Sequence, residues 1–281
     1  MCLFFKEGKR VREAKKRLPD DWQSTLNQLE KTVEGKRKNA VIQFPLWPEA
    51  KRGTPNSFLR SALFSAIQSK DRIYMEEMTL FSQKGITVKY TGMQLNQEDL
   101  TLWETLVHLA RQHQLGHECV FTAHGILKEL ELPTGGKNYK VLHSGIIRLT
   151  ACAVEITHEG KTFIGSMIEG GVKDEETSSY KIKLNRDLIC LYGDTQWTAI
   201  DWQQRLKLRR KPLAQALHGY YSSHREPYPV KIETLRQLTG SRNKQIASFK
   251  RQVKTAYEVL VSIGFLQNYE LDSGIVKVKR M

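Results

Sequence analysis

Apolar residues recur every three or four positions in three segments of the middle of the chain, which is the spacing of a buried helical stripe. Asn96 can cap the first helix, with Asp99 three residues on. A second helix is predicted over 122–132, and the Pro-Thr-Gly-Gly sequence at 133–136 separates it from a third helix that begins near Lys137. Alternating segments typical of strands follow at 152–157, 162–168 and 180–184.

The last third of the chain repeats this order of elements. Pro212 suits the first position of one helix, and a short second helix begins near Thr234. A longer third helix is predicted from about Arg242 to Ser262, after which a turn at 272–274 joins two short strands. A helix-turn-helix followed by a β-hairpin is the winged-helix arrangement.

These patterns predict an α+β fold with two tandem winged-helix domains and a flexible basic N-terminal arm. We expect the arm and a proline-rich linear-motif segment at 1–55, an N-terminal winged-helix domain at 56–200 and a C-terminal DNA-binding winged-helix domain at 201–281. Phe44 and Trp47 of the proline-rich segment either dock in a partner's groove or fold back onto their own domain.

The distribution of charge along the chain indicates a class of function. The 281 residues include 44 Lys and Arg against 30 Asp and Glu, a net charge of +14. Residues 1–40 hold 11 bases and 6 acids, residues 41–200 hold 17 and 18, and residues 201–281 hold 16 and 6. A domain with the last imbalance attracts polyanions over a long range. The distribution therefore indicates nucleic-acid binding, with the C-terminal domain supplying most of the attraction.

Composition and motifs disfavour several other classes of protein. No stretch reaches the roughly 20 apolar residues of a membrane helix, and four scattered cysteines without CxxC spacing favour the reducing cytoplasm. The Gly-Lys-Thr tripeptide at 160–162 lacks the first glycine of a P-loop, because Glu155 stands there. His113 and His117 are not part of an HExxH motif. We therefore expect no enzymatic activity, no metal and no cofactor.

A recognition helix reads base edges in the major groove with its N-terminal turns. In the C-terminal domain we predict base contacts from the helix that follows the turn, by Arg242, Asn243, Lys244, Ser248 and Arg251. Lys250 and Lys254 on this helix, and Lys277, Lys279 and Arg280 on the wing, are better placed for phosphates. The alternative is that all of these are ordinary solvent-facing residues.

The N-terminal domain offers a second set of candidates, although its charge is close to neutral. The equivalent positions there are Lys137, Asn138, Lys140 and Ser144, and this domain either contributes to DNA binding or is partly devoted to dimerisation. Arg209 and Arg210 belong to the densest basic run, at 205–211. That run either holds phosphate between the two domains or forms a solvated helix face or linker.

The stretch Ser-Ser-His-Arg-Glu-Pro-Tyr-Pro at 222–229 closely resembles the TrfA-type replication initiators of broad-host-range plasmids. Further matches are Trp-Pro-Glu at 47–49, Arg-Ser-Ala-Leu-Phe at 60–64 and Tyr-Thr-Gly at 90–92. The resemblance implies two winged-helix domains that bind repeated sites (iterons) in a plasmid origin as monomers, and an inactive dimer. It also implies opening of an adjacent AT-rich region, where single-stranded DNA is a further candidate ligand, with host DnaA and the replicative helicase as partners.

Such initiators also resemble clamp-binding proteins through a Gln-Leu-Ser/Asp-Leu-Phe peptide, and the nearest segment here is 43–47. It keeps Gln43, Leu46 and a terminal aromatic residue, Trp47, and departs at the second and third positions. Three hypotheses follow. The first is an origin-binding initiator, the second is a tandem winged-helix repressor that binds a symmetric operator as a dimer, and the third is an interaction protein that recruits a sliding clamp.

Overall fold

The computed structural model describes residues 44–111 and 117–281. Its antiparallel sheets and separate helices confirm the predicted α+β class. The strands are β1 Lys51–Pro55, β2 Tyr74–Leu80, β3 Ile86–Met93, β4 Glu118–Thr122, β5 Ala153–His158, β6 Lys161–Gly165, β7 Ile168–Asp174, β8 Ser179–Leu184, β9 Trp197–Asp201, β10 Val230–Lys231, β11 Leu266–Asp272 and β12 Ile275–Arg280. The helices are α1 Asn56–Leu59, α2 Gln97–Ala110, α3 Ala123–Glu129, α4 Gly136–Thr150, α5 Trp202–Lys207, α6 Pro212–Ser222, α7 Ile232–Leu238 and α8 Ile246–Ser262.

Helix α2 begins where its sequence predicts. The Asn96 side-chain oxygen accepts hydrogen bonds from the backbone N–H groups of Glu98 and Asp99, at 3.1 and 3.3 Å. Asp99 in turn accepts one from the backbone N–H of Asn96 at 3.0 Å, which completes a capping box. The predicted apolar stripe, with Trp103 and Leu106 at its centre, is fully buried.

The two halves of the described chain share one connectivity. In the first half the order is α2, β4, α3, α4 and the hairpin β7–β8, and in the second half it is α6, β10, α7, α8 and the hairpin β11–β12. The strand that precedes the two later helices pairs with the second strand of the hairpin in both halves. The resulting sheet orders are β4-β8-β7 and β10-β12-β11.

The first half departs from the predicted pattern directly after α4. Of the three strands expected there, only the last, near Tyr180, belongs to the hairpin of the repeated unit. Strands β5 and β6 instead join a four-stranded sheet of order β2-β3-β5-β6. The reason is an apolar match with β3, since Ile156 pairs with Val88 and Val154 with Tyr90, and all four side chains are buried.

Of the two alternatives for the segment at the start of the described residues, the structure shows the one in which Phe44 and Trp47 fold back onto their own domain. Phe44 and Trp47 are buried in the core, and the Trp47 indole N–H donates to His108 Nδ1 at 3.1 Å. Strand β1 then pairs with β9, so 44–55 forms part of the first half's core. Burial of two large aromatic side chains favours this alternative over docking in a partner's groove. Residue Gln43 and the predicted basic arm lie outside the described residues.

One cluster of buried apolar residues spans 44–206 and a second spans 208–276. Where they meet, Arg205 of α5 and Glu104 of α2 form a fully buried ion pair with 2.7 Å between Nε and Oε2. Burial raises the pKa of Glu104, and the guanidinium opposes that shift. The hydroxyl of Thr54 donates to the other carboxylate oxygen at 2.8 Å.

Candidate nucleic-acid interface

Helix α8 is the long helix that the sequence places in a DNA groove, and it begins at Ile246 rather than near Arg242. Phe249, Val253 and Leu260 lie on its buried side. Arg251 and Lys254 are exposed on the opposite side, and Lys244 is exposed in the loop just before the helix. These three cations therefore share one accessible surface.

The loop before α8 uses its polar side chains to fix the start of the helix. Asn243 Oδ1 accepts a hydrogen bond from the backbone N–H of Gln245 at 3.0 Å, and Asn243 Nδ2 donates to Ser248 Oγ at 3.0 Å. Arg236 Nη1 donates to the Asn243 carbonyl, also at 3.0 Å. An asparagine that bonds to nearby backbone favours a turn over a helix. Asn243 and Ser248, predicted to read bases, are therefore bonded to each other.

Arg242 lies at the meeting of the two halves. Its guanidinium donates to the backbone oxygen of Asp71 at 2.6 Å. Both residues line a cleft of about 810 Å³ whose walls also include Arg210 and, from α8, Thr255. The guanidinium thus ties the loop before α8 to the first half, while the side chain stays exposed.

The wing presents two of its three basic residues to solvent. Lys277 and Lys279 of β12 are exposed and lie opposite Glu270 and Asn268 of β11. Arg280 points inward instead, where its Nη1 donates to the carbonyl oxygens of His224 and Tyr221, at 2.8 and 3.3 Å. Phosphate contact by the wing is therefore expected from the two lysines.

Helix α4 occupies the corresponding position in the first half. Lys137 and Lys140 are exposed in its first turns, as predicted for phosphate or base contacts. Asn138 Nδ2 donates to the carbonyl oxygen of Pro133 at 2.7 Å, so this amide closes the turn between α3 and α4. The two lysines line a second cleft, of about 780 Å³.

The basic run 205–211 is divided by burial. Arg205 is fully buried in the ion pair described above and is inaccessible to phosphate. Arg209 donates from Nη1 to the carbonyl oxygens of Leu130, at 2.9 Å, and Glu131, so it caps the C-terminal end of α3. Arg210 is exposed and lines both clefts. Of the predicted pair, Arg210 is the more accessible.

Sequence reasoning gave no role to a set of residues that join the two halves. Arg60 Nε donates to Ser223 Oγ at 2.9 Å, and a second guanidinium nitrogen bonds the Ser223 carbonyl. Gln83 Nε2 donates to the hydroxyl of Tyr228 at 2.9 Å. The stretch 222–229 is thus a joint between the halves, buried at Ser223 and His224 and exposed at Tyr228. No local sequence signal indicates these pairs, because the partners are more than 100 residues apart.

The sequence pattern of the TrfA protein family matches residues 9–280. The chain belongs to that family. A TrfA relative, the plasmid replication initiator protein TrfA of Escherichia coli, is 28% identical over 245 residues, which is 83% of this chain and 63% of the relative. The chain thus matches less than two thirds of that relative's length.

Two solved structures are similar to this TrfA-family fold. Domains 2 and 3 of RctB match with a TM-score of 0.53 and 13% identity, over 81% of this chain and 98% of that one. The Pi initiator protein in complex with iteron DNA matches with a TM-score of 0.47 and 12% identity, over 71% and 99% of the two chains. Within residues 44–111 and 117–281, no helix is long and apolar enough to cross a membrane, and no cluster of His, Cys, Asp and Glu side chains could hold a metal ion.

Proposed function

We propose that this chain is a non-enzymatic plasmid replication initiator made of two tandem winged-helix domains. It binds double-stranded iterons at a plasmid origin as a monomer, promotes opening of an adjacent AT-rich region, and recruits host DnaA and the replicative helicase. Its dimer is the inactive form. The observation that carries the proposal is the repeated connectivity of a TrfA-family chain, which gives α4 and α8 equivalent places and exposed cations.

The accessible side chains divide into two groups, one that contacts base edges and one that contacts phosphates. Lys244, in the loop before α8, and Arg251, in the second turn of that helix, contact base edges, and Arg suits guanine through two parallel hydrogen bonds. Phosphate contacts come from the remaining exposed cations, which are Lys137, Lys140, Arg210, Arg242, Lys254, Lys277 and Lys279. Asn138, Asn243, Ser248 and Arg209 position these groups through the hydrogen bonds described above.

Recruitment of a sliding clamp through 43–47 has less structural support than DNA binding. Leu46 is 71% exposed, but Trp47 is buried and bonded to His108. A clamp could bind this peptide only if Trp47 left the core. The proposal therefore rests on DNA binding and does not include the clamp.

Footprinting across the resident plasmid tests the proposal against a repressor function. An initiator that binds as a monomer protects a series of direct repeats, each by one molecule. A repressor that binds as a dimer protects one symmetric site. Protection of a single palindrome, with no direct repeats, would therefore favour the repressor.

Salt titration tests the electrostatic part. If about 6–10 phosphates are neutralised, affinity for an iteron duplex falls by about 10³–10⁵-fold between 50 and 200 mM salt. Binding that is nearly independent of salt would contradict the assigned phosphate contacts.

A further inference from the structure

Helix α4 leaves two aliphatic side chains in solvent. Val141 is 47% exposed and Ile147 is 51% exposed. The buried side of the same helix is complete without them, because Leu142, Ile146 and Leu149 fill it. These two exposed side chains are therefore available for contact with a partner.

Aligning the buried residues of α4 with those of α8 shows which residue of α8 corresponds to each outward residue of α4. Leu142 then corresponds to Phe249 and Ile146 to Val253, all four being buried. In the same register, Ile147 takes the place of Lys254. Ser144 likewise stands where α8 has Arg251. The outward face of α4 thus has an aliphatic residue and a small hydroxyl where α8 has two cations.

The surroundings of this face favour a polyanion over an apolar protein surface. Lys137 and Lys140 are exposed in the preceding turns, and Val141 lines the same cleft wall as both lysines. Arg210 lies across that cleft. The apolar group that double-stranded DNA presents in its major groove is the C5-methyl of thymine, and aliphatic side chains recognise it by contact.

We propose that Val141 and Ile147 contact thymine methyl groups in the major groove, so that the first domain selects A·T pairs in its half of the iteron. This assignment rests on the proposed function. It gives α4 a reading mode different from that of α8, where Arg251 is placed to select guanine.

Uracil substitution tests the contact directly, because deoxyuridine differs from thymidine only by that methyl group. Each thymine of an iteron duplex is replaced in turn, and the affinities of the full chain and of its Val141→Ala and Ile147→Ala variants are measured. We expect one or two positions at which uracil weakens binding by the parent about fourfold, the value for one buried methyl group. One of the variants then shows no further loss at that position. Ile164→Ala, at a side chain 73% exposed on β6, is the matched control and keeps the parent's sensitivity.

Other outcomes overturn the proposal in distinguishable ways. If no uracil changes the affinity of the parent, or if both variants keep its full sensitivity, the thymine contact is wrong while iteron binding stands. If the variants alter self-association in sedimentation and leave uracil sensitivity unchanged, the face is an interface between copies. If the parent does not bind an iteron duplex at all, the proposed function itself fails.

Discussion

Arginine residues near the predicted DNA-binding surface differ in where their guanidinium groups point. Arg251 is exposed on α8, whereas Arg205 is sealed in an ion pair and Arg280 bonds two backbone carbonyls. A buried guanidinium that is already paired adds little to attraction at the surface. The charge available to DNA is therefore smaller than the formal excess of the last third of the chain.

Replacing Arg251 by alanine should weaken iteron binding by about 1–3 kcal/mol and relax specificity at one base pair. The reason is loss of a two-pronged contact with a base. Competition among duplexes that carry every single-base change measures both effects. Lys84→Ala, at an exposed lysine in the β2–β3 turn, removes the same charge and should leave specificity unchanged. Equal weakening of Arg251→Ala on random DNA would make Arg251 a phosphate contact.

Histidine burial makes folding sensitive to acid. Burial lowers the pKa of His218 to about 3 from an ordinary value of 6.5, with Arg205 adding to the shift. Below pH 6.5 the unfolded chain therefore binds a proton that the folded chain does not. The free energy of unfolding should fall by about 1.4 kcal/mol per pH unit from this group as the pH drops from 6.5 toward 3.

Urea denaturation of the parent and of His218→Gln between pH 7 and pH 5 measures this slope. The variant should show a shallower dependence. His143→Gln, which removes an exposed histidine, is the control and should follow the parent. An unchanged slope in His218→Gln would show that His218 is protonated in the folded state.

Among whole elements, those with local signals were predictable and those with distant partners were not. The capping box of α2 and its apolar stripe are local, and both are confirmed. The sheet that β5 joins cannot be predicted from local sequence, because its alternation of apolar and polar residues fits either sheet. Only its pairing with β3 decides which sheet it joins. The predicted start of α8, near Arg242, is too early, because Asn243 bonds to nearby backbone and to Ser248 and the helix begins at Ile246.

The residues of the candidate site also divide into those whose exposure follows from local sequence and those whose direction depends on distant partners. Exposure of Arg251 and Lys254 follows from the helical period of α8, which the sequence displays. The inward direction of Arg205 and Arg209 depends on Glu104 and on the end of α3, far away in the chain. A run of basic residues therefore predicts charge but not its accessibility.

The loop before α8 leads to a prediction for Asn243. Asn243→Ala removes two hydrogen bonds that hold the start of the helix, and it should cost about 1 kcal/mol of unfolding free energy. It should not relax base specificity at any single position. Denaturation and binding to single-base variants give the two measurements. A selective loss at an adenine would instead restore Asn243 as a base reader.

At the scale of the whole molecule, side-chain contacts fix the two halves of the described chain relative to each other. The contacts of Arg60 with Ser223 cross between them, and Arg205, whose Nε is paired with Glu104, donates from Nη1 to the Gln215 carbonyl of α6 at 3.5 Å. Arg205 Nη2 also donates to the carbonyl of Gln97 at 3.1 Å. If α4 and α8 read DNA as proposed, these contacts set the spacing of the base pairs that the two helices reach together.

Breaking the buried pair on one side should be costly. Glu104→Ala leaves the Arg205 guanidinium uncompensated and should lower the unfolding free energy by about 3–5 kcal/mol. The double variant Glu104→Leu with Arg205→Met replaces the pair by apolar side chains and should recover most of that loss. Thermal and chemical denaturation of the three proteins test this, and a double variant as unstable as Glu104→Ala would contradict it.

The joint at 222–229 makes none of its described contacts through the outward face of α8. Its bonds go to Arg60, Gln83 and Arg280, whereas Arg251 and Lys254 stand free of them. Exchanging outward residues of α8 therefore disturbs neither the joint at 222–229 nor the packing beneath the helix. A chain built this way can acquire a new target sequence while the orientation of α4 relative to α8 stays the same.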